Sequence, residues 1–220
     1  MDTNEYLLNT FRDQPGMSKV NPAGYTPIDV PLTDRDELSA IFHGLGFTSG
    51  AEIGVEQGAF SESLLKDNPD CKLYAIDAWK AYRGYRDHTR QGKLDRFYES
   101  AKTRLASYNA EIIRKFSMDA VKDFADRSLD FVYIDGNHDF YHCTSDICLW
   151  SKKVKVGGII AGHDYVRWNG LKSTTCHVVD VVNAYTRAMD IRPWFLLGKQ
   201  DRTYLWSCLL YTSPSPRDRG

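Results

Sequence analysis

Two glutamates flank a glycine turn in Ala51-Glu52-Ile53-Gly54-Val55-Glu56-Gln57-Gly58-Ala59-Phe60-Ser61, and flexible backbone beside negative charge is a ligand-binding chemistry. Gly54 and Gly58 let the chain take positive φ and approach a bound molecule closely. An apolar run leads into the turn, and Phe60, Leu64 and Leu65 continue it with helical spacing. Unpaired backbone N–H groups at such a helix start face the same ligand. The G-x-x-x-G spacing differs from the dinucleotide fingerprint G-x-G-x-x-G, and no Gly-Lys-Ser/Thr follows as in a P-loop. Glu52 and Glu56 therefore favour an ammonium or sulfonium group over pyrophosphate, although an ordinary tight strand-to-helix turn reads the same way.

Three further polar positions follow apolar runs. Asp77 stands 19 residues beyond Gly58 at the end of Lys72–Ile76, where a carboxylate accepts both hydroxyls of a ribose; a nicotinamide dinucleotide would be served equally. Asp135 ends Leu129–Ile134, and His163-Asp164 follow Gly157–Gly162. His138, three residues after Asp135, carries an imidazole suited to taking a proton from an acceptor hydroxyl, while histidines at helix starts also serve as caps. Trp79, Tyr82, Arg83, Tyr85, Arg86 and Arg90 form a candidate lid that stacks on a planar ligand, a nucleobase included.

The elements that must position these groups read as alternating strands and helices. Strands are expected at Ala51–Val55, Lys72–Ile76, Glu111–Phe116, Leu129–Ile134 and Gly157–Gly162, each short, apolar and bounded by turn residues. Helical spacing follows each of the first four, with Leu94, Phe97, Ala101 and Leu105 the longest example. Such alternation implies a parallel sheet with right-handed crossovers. Trp194–Leu197 and Thr203–Trp206 then read as an antiparallel hairpin after a helix carrying Val178, Val179, Val181, Val182 and Tyr185. Upstream, Thr33 with Asp34, Asp36 and Glu37 reads as the capped start of a helix bearing Leu38, Ile41 and Phe42. In such a sheet ligands bind beyond the carboxyl ends of the strands, so Gly54, Asp77, Asp135 and Asp164 should meet in one crevice.

Composition narrows the function classes. A chain of 220 residues, 42% hydrophobic and 26% charged, suits one well-buried domain. With 28 basic and 29 acidic side chains the net charge is −1, so no global field draws the protein onto nucleic acid. No apolar run is long enough to span a membrane and the first residues lack the order of a signal peptide, which makes a cytoplasmic protein the expectation. Five cysteines without a C-x-x-C pair suggest free thiols. Residues 1–31, broken by Pro15-Gly16, Pro22 and Pro27, read as an arm on which Tyr6, Leu7, Leu8 and Phe11 can dock as a short helix. Residues 32–207 are the expected domain, and 208–220 a compositionally disordered tail foreign to the fold.

Together, Glu52-Ile53-Gly54-Val55-Glu56-Gln57-Gly58, Asp77, Asp135-Gly136, Lys155-Val156-Gly157-Gly158 and the terminal hairpin resemble the class I S-adenosylmethionine-dependent methyltransferases. Phe131 to His138 and Gly157 to Tyr165 are similar to the branch that methylates hydroxyls of small molecules and sugars. The resemblance implies an α/β, Rossmann-like, doubly wound, mostly parallel seven-stranded sheet with a C-terminal antiparallel hairpin. It implies S-adenosylmethionine held by Glu52, Gly54, Glu56, Gly58, Ser61 and Asp77, with Met118 and Asp119 where the family contacts adenine; Ser117 or Asp119 would equally cap the next helix. It also implies Mg²⁺ or Mn²⁺ at Asp135, His163 and Asp164, with His163 a departure from the acidic or amide groups usual there. Asp135 and His138 are then the expected catalytic pair, and a sugar or phenol the expected partner, with homo-oligomers permitted. A nicotinamide oxidoreductase and a non-catalytic sugar- or nucleotide-binding module are the rival readings.

Overall fold

The computed structural model describes residues 2–17, 20–31, 33–82, 90–167, 176–199 and 202–208. Along them the order is α1 (Thr3–Thr10), β1 (Ile28–Val30), α2 (Leu38–Gly44), β2 (Ser49–Ile53), α3 (Ala59–Asp67), β3 (Lys72–Asp77), α4 (Gln91–Leu105), β4 (Ala110–Arg114), α5 (Ser117–Ala120), β5 (Leu129–Ile134), α6 (Phe140–Trp150), β6 (Val154–Gly162), α7 (Val178–Ala188), β7 (Phe195–Leu197) and β8 (Thr203–Ser207).

The strands form one sheet in the order β1-β7-β8-β6-β5-β2-β3-β4. Every pairing is parallel except those of β8 with β6 and β7. Alternation along the central strands creates two apolar layers. In β5, Phe131 and Tyr133 join a cluster with Phe42, Leu64, Leu105 and Phe195. Val132 and Ile134 enter a second cluster with Ile147, Trp150, Val182 and Trp206. Helices α1 to α4 thus cover one face and α5 to α7 the other.

The sheet has eight strands where seven were expected. The extra strand, β1, lies in the segment read as an arm: Ile28 and Val30 are buried and Asp29 exposed, and β1 pairs with β7 from Ile28↔Phe195 to Val30↔Leu197. It covers the edge that β7 would otherwise leave open. Helix α1 is anchored too, with Leu7 and Phe11 buried, Phe11 5.4 Å from the Phe195 ring, and Thr3 Oγ1 donating to the Gly157 carbonyl at 2.5 Å. The start of the next segment is capped by Asp34, whose Oδ1 accepts from the Asp36 N–H at 3.0 Å, rather than by Thr33. All five cysteines are free thiols, and residues 209–220 of the expected tail lie outside the described residues.

Strand β2 pairs with both β3 and β5, so the winding of the sheet reverses beside it. A crevice opens beyond the carboxyl ends at that reversal.

Candidate active site

A cavity of about 530 Å³ occupies this crevice, and its wall includes Gly54, Glu56, Asp77, Met118, Asp135 and His138. It therefore joins the ends of β2, β3 and β5 with the loop after β4.

The glycine turn is held from both sides. Asp77 Oδ2 accepts from the N–H groups of Val55 at 3.1 Å and Glu56 at 3.0 Å, and its Oδ1 accepts from Trp79 N–H at 2.8 Å. Burial nevertheless outweighs these hydrogen bonds and raises the Asp77 pKa. Trp79 is fully buried and donates from Nε1 to the Glu56 carbonyl at 2.7 Å. It is a strut of the turn and part of the cavity wall as well; aromatic residues without periodicity gave no sign of which way the chain would fold. Tyr82 does line the cavity, its hydroxyl accepting from Asn137 Nδ2 at 2.9 Å. Arg90 precedes α4, whereas Arg83, Tyr85 and Arg86 lie outside the described residues.

Glu52 and Ser61 pair beneath the turn and neither belongs to the cavity wall. Glu52 is 2% exposed and Ser61 0%, and the Ser61 hydroxyl donates to Glu52 Oε2. The register Glu52↔Tyr133 turns the carboxyl into the layer containing Phe60, which explains why a motif glutamate is buried. Burial pushes its pKa up to about 8, against the opposing hydrogen bond of Ser61. Because the folded-state pKa lies above the unfolded one, the folded protein retains a proton that the unfolded chain loses, and stability falls as pH rises from about 4.5 to 8. Glu52→Gln keeps the shape and an oxygen acceptor without the titration. Its melting temperature should decline less than that of the parent between pH 5 and 8, by the equivalent of a few kcal/mol; superimposable pH profiles would refute the assignment.

Gly58 is the left-handed N-cap of α3, with φ +77°, and Gly54 takes φ +91°. Across the crevice, Met118 and Asp119 line the cavity, Asp119 pairing with Lys122 at 2.8 Å. Neither Ser117 nor Asp119 caps α5: its N-cap is Phe116, without a side-chain hydrogen bond.

The acidic end of the cavity is a chain of alternating charges. Arg35 Nη1 lies 3.4 Å from Asp135 Oδ2, and Asp135 Oδ1 lies 3.5 Å from His138 Nε2. The same Nε2 contacts Asp164 Oδ2 at 2.8 Å, while Asp164 Oδ1 lies 3.5 Å from His163 Nδ1. Asp135, His138 and Asp164 each offer a ligand atom within 4.8 Å of the others. Among the described residues this is the group whose spacing could hold a metal ion; it contains His138 where His163 was expected. The backbone explains the exchange: His163 N–H still donates to the Ile134 carbonyl at 3.1 Å, extending the sheet, and the chain turns only at Asp164, with φ +57°. Burial opposes a charge on His138, but the hydrogen bonds and charges of Asp135 and Asp164 win and raise its pKa to about 10. Asp164 is correspondingly lowered, its burial outweighed by the two histidines. His142 is occupied elsewhere, with Nδ1 2.7 Å from Oδ2 of Asp139, the cap of α6.

Two residues of this region gave no signal in the sequence. Arg35 sits in an acidic stretch and reads as surface charge, yet it reaches Asp135 and lies 5.3 Å from the Phe60 ring centroid. Asp146 falls in an apolar helix face, where a carboxylate fits no pattern.

Residues 51–165 match the protein family described as Methyltransferase domain. No curated protein sequence matches the chain. Among solved structures, the O-methyltransferase TomG from Streptomyces achromogenes, in complex with S-adenosylmethionine, superposes with a TM-score of 0.58 at 17% identity, covering 79% of this chain and 78% of that one. Cofactor-bound Rv0187 from MTB gives 0.56 at 18%, covering 79% and 78%. The N-methyltransferase NodS from Bradyrhizobium japonicum gives 0.50 at 16%, covering 78% and 92%. At these identities the likeness is one of fold, shared by proteins named for oxygen and for nitrogen acceptors. The matched residues run from β2 through Tyr165 and so include the glycine turn and, of the acidic chain, Asp135, His138, His163 and Asp164: the protein belongs to the methyltransferase-domain family, with the fold of the class I S-adenosylmethionine-dependent enzymes.

Proposed function

We propose that the protein transfers the methyl group of S-adenosylmethionine to a hydroxyl of a small-molecule acceptor, a sugar or a phenol, aided by a divalent cation at Asp135, His138 and Asp164. The observation that carries this reading is one cavity wall holding Glu56 and Asp77 at the glycine turn together with Asp135 and His138 at the acidic chain. A volume of about 530 Å³ suits a nucleoside-sized ligand. The carboxylates of Glu56 and Asp77 suit an ammonium group and ribose hydroxyls, and Met118 offers an apolar surface to a base. Glu52 and Ser61 act through the turn they support.

The donor set fits a cation. Two carboxylate oxygens and one imidazole nitrogen suit Mn²⁺, Fe²⁺ or Zn²⁺, with Mg²⁺ favoured less than by an all-oxygen site. When bound, such an ion supplies Lewis acidity that lowers the cost of deprotonating an acceptor hydroxyl. The chain's own part is to hold the acceptor beside the methyl donor and exclude water, with His138 Nε2 a ligand when the cation is bound and a proton acceptor only in its absence. That nitrogen must give up its proton before it can serve as ligand or base. Cation affinity should therefore rise with pH, by up to about tenfold per unit below the His138 pKa of about 10. Calorimetric titration with Mn²⁺ between pH 6 and 8 tests this; a flat profile would mean that His138 is not a ligand.

The methyl-donor reading is tested by thermal stability. S-Adenosylhomocysteine at a hundredfold over its dissociation constant should stabilise the protein by about 2.7 kcal/mol, and NAD should not. The reverse result would return the protein to the oxidoreductase class. Turnover of S-adenosylmethionine against sugars, phenols and nucleosides then identifies the acceptor. Among the described residues no helix is long and apolar enough to cross a membrane.

A further inference from the structure

Asp146, on α6, has no part in the roles above. It is 4% exposed and lines the cavity beside Phe116, Ser117 and Met118. Its Oδ1 accepts from the Ser117 hydroxyl, which in turn accepts from Nε1 of the fully buried Trp150 at 2.8 Å. Both donors in this relay point towards Asp146, so the Ser117 hydroxyl hydrogen is already committed and the side chains of Ser117 and Asp146 offer only acceptors here. Oδ2 receives no hydrogen bond among the described residues. Its neighbour is Gly136, where even a Cβ would stand 3.5 Å from Oδ2. Burial raises the Asp146 pKa to about 6, against the hydrogen bond from Ser117, so the carboxylate is ionised at neutral pH with one oxygen left to satisfy. A buried carboxylate in that state gains from a ligand N–H.

We infer that Asp146 is a specificity residue for the base of the methyl donor, its Oδ2 accepting a hydrogen bond from the exocyclic amine of adenine. This rests on the methyl-donor reading and assigns its orientation within the cavity. Phe116 and Met118 provide apolar and polarisable surface for a flat ring beside Asp146. The ammonium and ribose groups have their own carboxylates at Glu56 and Asp77. A neutral amine donates to Asp146 without carrying a second charge into the buried wall.

The experiment compares S-adenosylhomocysteine with S-inosylhomocysteine, which presents a carbonyl oxygen in place of the amine, by calorimetry on the unaltered protein. The inosine analogue should bind on the order of ten- to a hundredfold more weakly, because it sets an acceptor against an acceptor. In Asp146→Asn the amide can keep its oxygen on Ser117 and turn its NH₂ into the cavity, so the preference should shrink or invert. Equal affinity of the unaltered protein for both analogues overturns the inference and leaves Asp146 as an anchor for Ser117. If S-adenosylhomocysteine does not bind at all, the methyl-donor reading fails first and this assignment falls with it. The comparison of ligands on the unaltered protein does not depend on how the variant folds.

Discussion

Asp164→Ala should lower methyl transfer roughly a thousandfold while leaving S-adenosylhomocysteine affinity within about twofold, since only ordinary surface-type effects then reach the donor site. Asp164 touches His138 and His163 through separate oxygens, yet it is not part of the cavity wall. Its removal empties one position of the cation site and leaves His138 beside Asp135, without disturbing the glycine turn. The backbone complicates the choice of variant, because φ at Asp164 is +57°. Alanine pays about 1–2 kcal/mol in that conformation, whereas asparagine tolerates it. Asp164→Asn therefore isolates the loss of charge: it should retain the melting temperature, bind cations more weakly and recover part of its turnover with added Mn²⁺. Chelation of the unaltered protein should reproduce the alanine phenotype. Full turnover in chelator, unchanged by titrated divalent ions, would leave the proton chemistry to His138 and the positioning to the cavity alone.

The layered fold was legible because burial and periodicity agree in it. Leu129–Ile134 is apolar at every position except Asp130, as a strand covered on both faces must be, and it became the centre of the sheet. β1 was not legible: three residues, one of them exposed, sit between prolines, and their strand character comes from the edge of β7. The polar strand ends could be read as converging because a parallel sheet brings its carboxyl ends to one side. Which imidazole meets Asp135 and Asp164 could not. His138 and His163 both flank loops, and the choice depends on His163 remaining in the ladder with Ile134 while the chain turns at Asp164. Glu52 was visible as a motif residue but its depth was not, since the layer it enters is set by its cross-strand partner Tyr133. Trp79 shows the same limit, with its direction fixed by one hydrogen bond to the Glu56 carbonyl.

Gly54→Ala should destabilise the protein by more than about 3 kcal/mol, the range of core disruptions, and abolish S-adenosylhomocysteine binding with it. A Cβ at Gly54 would lie 2.0 Å from the Asp135 carbonyl oxygen, 2.6 Å from its carbon and 3.0 Å from Gly136 N. All three are backbone atoms, so no side-chain rotation relieves the contact. The φ of +91° adds strain that an L-residue rarely bears. Retreat is blocked as well, because Asp135 N–H donates to the Ile53 carbonyl at 2.7 Å and Gly54 N–H to that of Ile76 at 2.9 Å. Either β2 parts from β5 or the Asp135 peptide moves, and each outcome displaces the carboxylate that faces His138. Gly58→Ala supplies the control: φ there is +77°, but the added Cβ meets Ala101 Cα and the Leu105 side chain no closer than 3.4 Å. It carries the conformational penalty without the backbone collision, and should cost about 1–2 kcal/mol. Urea unfolding of the two variants measures the difference. Equal destabilisation would mean that positive φ alone, and not the approach of Asp135, requires glycine at position 54; a larger loss in Gly54→Ala ties the donor turn and the acidic chain to one shared backbone contact.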